Sequence, residues 1–187
     1  MVAMSEQTRW IFMQANSFHE SADRLRELDN LPNFPWIVFT ALAIELYLKC
    51  AIVTRKPYKQ HHNLFKLFQE LLPEDQESLK AEFGKSGTDI ITSLPPAVTK
   101  KIREDKVASR TYFDRLRKRR TFEEFMIESS DAFMKFRYNH EQTDLVFFSI
   151  AKLLPLLADL VEKKYIDAGS IQHIWPHKIA PPSGPHF

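Results

Sequence analysis

Apolar and polar residues follow one another along the N-terminal part of the chain with the spacing of a helix. Ser5 can cap this helix, because a serine hydroxyl accepts the backbone N–H groups that a helix start leaves open. Apolar residues then recur at steps of three and four, at Ile11, Ala15, Phe18, Ala22, Leu25 and Leu28. The pattern predicts one amphipathic helix, interrupted at residues 30–33.

A second helix is predicted from Pro35, whose missing N–H costs little in a first helical turn. From Trp36 to Val53 only three residues are polar, namely Thr40, Glu45 and Lys49. A helix that is apolar on nearly every face is expected to run through the middle of a bundle. Since Glu45 precedes Lys49 by four residues, these two side chains are expected to form a structural ion pair on one helical face.

The same helix is a poor membrane span. The eighteen residues from 36 to 53 barely suffice to cross a bilayer. Each of the two charges near its centre would cost about 3 kcal/mol on insertion. No membrane partner is therefore expected.

The middle of the chain predicts a loop, a third helix and a long irregular stretch. Arg55 to His62 is expected to form the loop, and the helix begins near Asn63. Its apolar stripe consists of Leu64, Phe65, Leu67, Phe68, Leu71 and Leu72. Pro73 opens another helical turn that Gly84 can close. Residues 86–99 mix Gly, Pro, Ser and Thr, which predicts a surface loop or insertion.

Two further helices are predicted in the C-terminal part. Thr121 and Glu124 match a capping box, and helical spacing continues through Phe122, Phe125, Met126, Ser129, Phe133 and Phe136. Thr143 can cap a fifth helix, which is strongly apolar from 145 to 161 and is expected to kink at Pro155. Gly169 is expected to end the fold, because the four prolines among the last twelve residues predict an extended tail.

Together these signals predict an all-α fold, an up-and-down bundle of about five main helices over residues 5–169. A basic insertion occupies 85–120, and a Pro-rich tail covers 170–187. Only 4 Gly stand against 15 Phe, a poor mixture for hairpins or phosphate-cradling loops. Cys50 is the only cysteine, which excludes an internal disulfide and a cysteine zinc finger. With no signal peptide in residues 1–8, a cytoplasmic location is expected.

Charge is unevenly distributed, although the formal net charge is only +2. Residues 100–120 contain ten Lys or Arg against three acids. With aromatic residues among these cations, the stretch could contact phosphates by charge and bases by stacking. The predicted nucleic-acid-binding residues are Lys100, Lys101, Arg103, Arg110, Tyr112, Arg117, Lys118, Arg119 and Arg120. An ordinary solvated helix, whose cations meet acids elsewhere, explains the same charges.

Arg137 and His140 form a second candidate site. A guanidinium can stabilise the developing charge of a phosphorane, and an imidazole can move the proton of a ribose 2′-hydroxyl. Three residues apart on a helix, they would share a face. The alternative is that Arg137 pairs with an acid of another helix while His140 caps a helix C-terminus.

The adjacent residues His61 and His62 are the third feature. No carboxylate or third histidine lies nearby at a spacing typical of metal ligands. Asn63 as a helix cap and His62 as a surface hydrogen-bonding residue explain this stretch without a metal. The sequence contains no Walker loop, dinucleotide fingerprint, nucleophile elbow or His-Glu-x-x-His motif, so no cofactor or metal is predicted.

Three short stretches resemble the HEPN family, the all-α bundles of prokaryotic toxins and nucleotidyltransferase partners. Residues 43–49, AIELYLK, are similar to the family's Leu/Ile-Glu-x-x-Leu-Lys helix. Residues 62–67, HNLFKL, are similar to its His-Asp/Asn-Leu helix start, and residues 136–141, FRYNHE, to its late aromatic-Arg-Tyr segment. The resemblance spans about residues 5–165, and the order of the three stretches carries it.

The resemblance implies a dimer whose late helices meet around a shared cleft. In catalytic members an arginine and a following histidine cleave RNA without a metal. Arg137 matches the family arginine, but His140 follows it sooner than in catalytic members. Members with the aromatic-Arg-Tyr segment and no properly spaced histidine act as binding or assembly domains, and this sequence is closer to them.

The sequence thus predicts a homodimer that binds RNA, a nucleotide or a partner protein through Arg137 and the basic stretch, in a toxin–antitoxin or defence context. One alternative is a metal-independent endoribonuclease, in which Arg137 stabilises the phosphorane and His140 is the acid and base. Another is a structural partner of a nucleotidyltransferase or an antitoxin, with the Pro-rich tail docking on it.

Overall fold

Helices make up all the regular structure in the described part of the chain. The computed structural model describes residues 5–27, 34–57, 61–85, 100, 104, 121–130 and 151–165. Within these ranges the helices are α1 (Glu6–Arg26), α2 (Phe34–Val53), α3 (Leu64–Gln69), α4 (Pro73–Lys85), α5 (Phe122–Glu128) and α6 (Leu153–Tyr165). The prediction of an all-α protein is confirmed for these residues.

Helix α1 begins where its cap predicts. The Ser5 hydroxyl accepts the backbone N–H of Thr8 at 3.1 Å, which satisfies one of the donors open at the helix start. The predicted stripe residues Ile11, Ala15 and Ala22 are buried in the core that α1 shares with α2. The sequence periodicity therefore identified the packing face of α1.

Helix α2 is the centre of the described bundle, as predicted. It contacts α1, α3 and α6, and Pro35 lies in its first turn. Ile37, Ile44, Leu48 and Ile52 are at most 2% exposed. Burying an aliphatic side chain of this size contributes about 1.5–3 kcal/mol, so α2 supplies much of the apolar burial.

One stretch in the described part of the chain, Pro35–Val53, is long and apolar enough to cross a membrane by length and composition alone. In the folded chain 72% of this stretch is buried. Burial of this extent is typical of the core helix of a soluble protein.

Helices α3 and α4 correct one boundary. Asn63 caps α3, with Oδ1 accepting the backbone N–H of Lys66 at 2.9 Å, as predicted. Pro73 opens a helix of 13 residues, Pro73–Lys85, which ends one residue after the predicted Gly84. Gly84 lies inside its last turn and does not have the left-handed backbone of a glycine that ends a helix.

Helix α5 has the predicted capping box of Thr121 and Glu124 but ends earlier than predicted. The expected continuation through Ser129 toward Phe136 is wrong in the described residues, because α5 ends at Glu128 and the chain turns. The turn brings the Ser130 carbonyl to the backbone N–H of Leu64 at 2.9 Å. Leu64 opens α3, where the N–H has no acceptor within its own helix. Phe133 and Phe136 lie outside the described residues.

Helix α6 also differs from its prediction. It begins at Leu153, so Pro155 lies in its first turn, where its missing N–H is tolerated. Residues 151–152 before it form a 3₁₀ turn, so the expected α-helix does not include them, and α6 continues to Tyr165. The kink at Pro155 stays a prediction. Thr143, residues 145–150 and Gly169 lie outside the described residues.

Aromatic rings join α3, α4 and α5. The Phe83 ring stacks on Phe125 with centroids 4.8 Å apart, and the Phe122 ring lies 5.0 Å from Phe68. Lys152 fixes the start of α6 to the same cluster, because its Nζ donates to the Phe83 carbonyl at 2.7 Å and lies 4.3 Å from the ring centroid. Burial lowers the pKa of Lys152. These contacts place α3, α4 and α5 beside α6 at one end of the bundle.

A polar group is buried between α1 and α2. The Tyr47 hydroxyl donates to Asn16 Oδ1 at 2.5 Å and lies 3.1 Å from His19 Nδ1. Burial raises the pKa of Tyr47 far above its ordinary range and lowers the pKa of His19 below its ordinary 6.5. His19 Nε2 faces Asp23 at 3.7 Å, an attraction that opposes the larger effect of burial on this pKa.

The lowered pKa of His19 predicts a pH-dependent stability. Just below pH 6.5 the unfolded chain binds more protons at this position than the folded chain, so stability is lost as the pH falls through this range. We expect urea unfolding midpoints to drop between about pH 7.5 and 5.5 more steeply in wild-type protein than in His19→Gln. An identical pH dependence in the two proteins would contradict this assignment.

Candidate functional site

Most residues of the predicted functional sites lie outside the described part of the chain. Arg137 and His140 do, as do Lys101, Arg103, Arg110, Tyr112, Arg117, Lys118, Arg119 and Arg120. Lys100 is described, and it is an exposed residue in a helical conformation. Glu45 and Lys49 are both well inside α2.

The predicted ion pair between Glu45 and Lys49 is present on α2. Lys49 Nζ donates to Glu45 Oε1 at 2.6 Å. Glu45 is only 3% exposed and Lys49 only 7%. Charged groups removed from water to this degree are stable only when they are paired, so this contact is a structural requirement of the core.

His62 approaches the same carboxylate from the end of the α2–α3 loop. Its Nδ1 lies 2.9 Å from Glu45 Oε1 and 3.1 Å from Oε2. With an ionised carboxylate as acceptor, Nδ1 carries the proton. The imidazole is therefore oriented by Glu45, while 59% of the side chain is exposed to solvent. The sequence predicted a surface hydrogen bond for His62 but not this partner, which is 17 residues away.

A second carboxylate, that of Glu70, contacts basic residues from both ends of the same loop. Lys56 Nζ lies 3.0 Å from Glu70 Oε2, and His61 Nε2 lies 3.4 Å from Oε1. The Arg55 guanidinium donates to the Glu70 backbone carbonyl at 3.2 Å. The hydrogen bond from Lys56 is the main reason that the pKa of Glu70 is lowered.

We name the basic residues of the loop between α2 and α3, together with the exposed lysine of α3, the α2–α3 cluster. It comprises Arg55, Lys56, His61, His62 and Lys66, the last on the exposed face of α3 one turn before Glu70. The sequence carries a signal for it that motif analysis missed. Between Glu45 and Glu70 there is no acidic residue, whereas there are five Lys or Arg and two His. One of these, Lys59, lies outside the described residues.

The α2–α3 cluster favours anions over metal ions. Among the described residues, no group of three His, Cys, Asp or Glu side chains could hold a metal ion. Both histidines face carboxylates, and the same loop and helix carry three exposed cations, Arg55, Lys56 and Lys66. A surface of this kind attracts phosphate groups and repels cations.

Similarity to known proteins adds nothing to this site. The candidate site is therefore argued from the contacts of Glu45 and Glu70 in this chain. Comparison with protein-family models, with curated proteins and with solved structures finds no match for the chain.

Proposed function

We propose that this chain is a HEPN-like helical domain that binds single-stranded RNA and does not cleave it. The observation that carries the proposal is the contact between His62 and Glu45 at 2.9 Å. It joins two of the three stretches that resemble the family, AIELYLK on α2 and HNLFKL at the start of α3. Glu45 is the residue that links them, because it pairs with Lys49 inside the first stretch and with His62 of the second.

Positive charge supports RNA as the ligand. Residues 100–120 carry ten Lys or Arg against three acids, with Tyr112 and Phe113 among them. Cations neutralise backbone phosphates, and aromatic rings stack on unpaired bases, which single-stranded RNA presents. The free, buried Cys50 suits a reducing compartment such as the cytoplasm, where RNA is available.

Binding without cleavage follows from the spacing of Arg137 and His140. In the catalytic members that the chain resembles, the histidine follows the arginine at a longer distance in sequence. General acid–base catalysis requires the imidazole within hydrogen-bond reach of the proton it moves. At the shorter spacing of this chain the imidazole would not occupy the place that it has in the catalytic members, so we assign Arg137 to binding.

Direct titration tests the proposed function. Fluorescence anisotropy of a labelled oligouridine of about 20 nucleotides should show saturable binding to the wild-type protein. The logarithm of the affinity should fall linearly with the logarithm of salt concentration, because bound cations displace counterions. Absence of binding at the lowest salt concentration would overturn RNA binding and favour a protein partner, such as a nucleotidyltransferase or an antitoxin.

A homodimer is part of the proposal. Helix α2 is buried within one protomer, so its apolar faces are not available for association. Exposed large apolar side chains remain in the described part of the chain, at Trp10, Met13 and Ile127. Light scattering should give about twice the 21.9 kDa of one chain. A monomer mass at micromolar concentration would remove the shared cleft implied by the family resemblance.

A further inference from the structure

We infer that the α2–α3 cluster is a second RNA-contacting surface, which binds the phosphate backbone of single-stranded RNA. The inference rests on the proposed function but concerns residues outside the basic stretch of 100–120. It names Arg55, Lys56 and Lys66 as the phosphate contacts.

The charge of the cluster is the first step. Lys49 neutralises Glu45 inside the core, so this carboxylate does not offset the surface cations. Among the described residues, Arg55 and Lys56 contact one acidic residue, Glu70, and the sequence from 46 to 69 contains no acid. Two exposed cations elsewhere in the described helices, in contrast, pair with an acid on their own helix: Arg24 with Glu20 and Lys163 with Asp159. The α2–α3 cluster is therefore a site of excess positive charge.

Preorganisation is the second step. Glu70 holds Lys56 through its carboxylate and Arg55 through its backbone carbonyl. Each contact occupies a single donor, whereas a guanidinium has five N–H donors and an ammonium has three. Both side chains thus keep donors for a phosphate, while their contacts with Glu70 bring the two cations to the same residue.

The histidine next to these cations favours RNA over a free phosphate ion. His62 is held by Glu45 through Nδ1, and more than half of its side chain is exposed. Imidazole rings are among the side chains on which unpaired bases stack. Cations that bind phosphates, next to an oriented ring that can stack on a base, match an RNA strand, in which phosphates and bases alternate.

The experiment compares two variants with the same change in charge. In the cluster variant, Arg55, Lys56 and Lys66 are each replaced by Gln. In the control variant, Arg24, Lys85 and Lys163 are each replaced by Gln, which also removes one Arg and two Lys from exposed helix surfaces. Circular dichroism verifies folding, and the single variant Lys66→Gln provides a test that disturbs no ion pair at Glu70.

Binding of the labelled oligouridine is then measured at several salt concentrations. The cluster variant should lower the salt slope by about 2 units, since each single-strand phosphate contact contributes about 0.7, and should weaken binding by up to about 100-fold at 0.1 M salt. Lys66→Gln should lower the slope by about 0.7, and the control variant should leave it unchanged.

Other outcomes contradict the inference in distinguishable ways. A cluster variant that binds like the wild type overturns the role of this surface and leaves the proposed function standing. An equal loss in the control variant shows a general effect of net charge, which also overturns it. A wild-type protein that binds no RNA removes the proposed function itself, and the inference with it.

Discussion

Replacing Glu45 by Ala is expected to lower the free energy of unfolding by about 3–5 kcal/mol, the cost of removing one member of a buried ion pair. The carboxylate is almost wholly buried and contacts both Lys49 Nζ and His62 Nδ1. Without it, the ammonium group of Lys49 loses the charge that compensates its burial. Urea unfolding followed by circular dichroism measures the change.

Two controls show whether burial is the cause. Glu20→Ala breaks an exposed pair with Arg24 on α1 and should cost at most about 1 kcal/mol. The double variant Glu45→Leu with Lys49→Met should be more stable than Glu45→Ala, because it leaves no charge in the core. If Glu45→Ala costs no more than Glu20→Ala, the pair does not have the structural role assigned to it.

Replacing all four residues Arg117, Lys118, Arg119 and Arg120 by Ala is expected to have the largest effect on RNA binding. If each contacts one phosphate, the salt slope falls by about 3 units, and the affinity at 0.1 M salt falls by several hundred-fold, about 4 kcal/mol. The clustering of four cations at consecutive positions is the reason to expect so large a change. Anisotropy titrations of labelled oligouridine measure it.

A matched variant separates this effect from net charge. Arg24, Arg26, Lys85 and Lys163 are cations in surface ion pairs of the described helices, and their replacement by Ala removes four charges. This variant should retain the wild-type slope. An unchanged slope in the 117–120 variant would instead place those residues on a solvated helix face.

Helix starts were predictable from the sequence because their causes are local. The side-chain oxygens of Ser5, Asn63 and Thr121 each accept the backbone N–H of the residue three positions later. A short stretch of sequence therefore contains both partners. The apolar stripes of α1 and α2 are likewise periodic within one element. These are the features on which the all-α prediction rested.

Helix ends and the start of α6 were not predictable because their causes are distant in sequence. The turn after Glu128 brings the Ser130 carbonyl to Leu64, a contact between two elements that no local pattern shows. The α-helix that contains Pro155 begins two residues before it, after a 3₁₀ turn at residues 151–152, and the local apolar pattern does not show this start. At the end of α5 a tertiary hydrogen bond overrides the apolar periodicity, and at α6 the position of the helix start does so.

The same distinction between local and distant causes applies to the candidate site. Glu45 and Lys49 lie on one helix at a spacing of four, so their pair could be predicted. The contact of His62 with Glu45 and the cations around Glu70 depend on how the loop between α2 and α3 closes. The absence of acidic residues from that loop indicated positive charge, but it did not indicate which residues contact each other. Arg137 and His140 remain predictions outside the described residues.

Incubation of the wild-type protein with labelled single-stranded RNA in EDTA, at a protein concentration that saturates binding, tests most directly whether this domain binds RNA without cleaving it. A catalytic imidazole contributes about 10² to 10⁴ in rate, so a metal-independent nuclease would be evident under these conditions. We predict intact RNA, as in a buffer control, with Arg137→Ala perturbing binding or dimer stability instead of cleavage. Cleavage that persists in EDTA, yields 2′,3′-cyclic phosphate ends and is lost in His140→Ala would contradict this account and establish a metal-independent endoribonuclease.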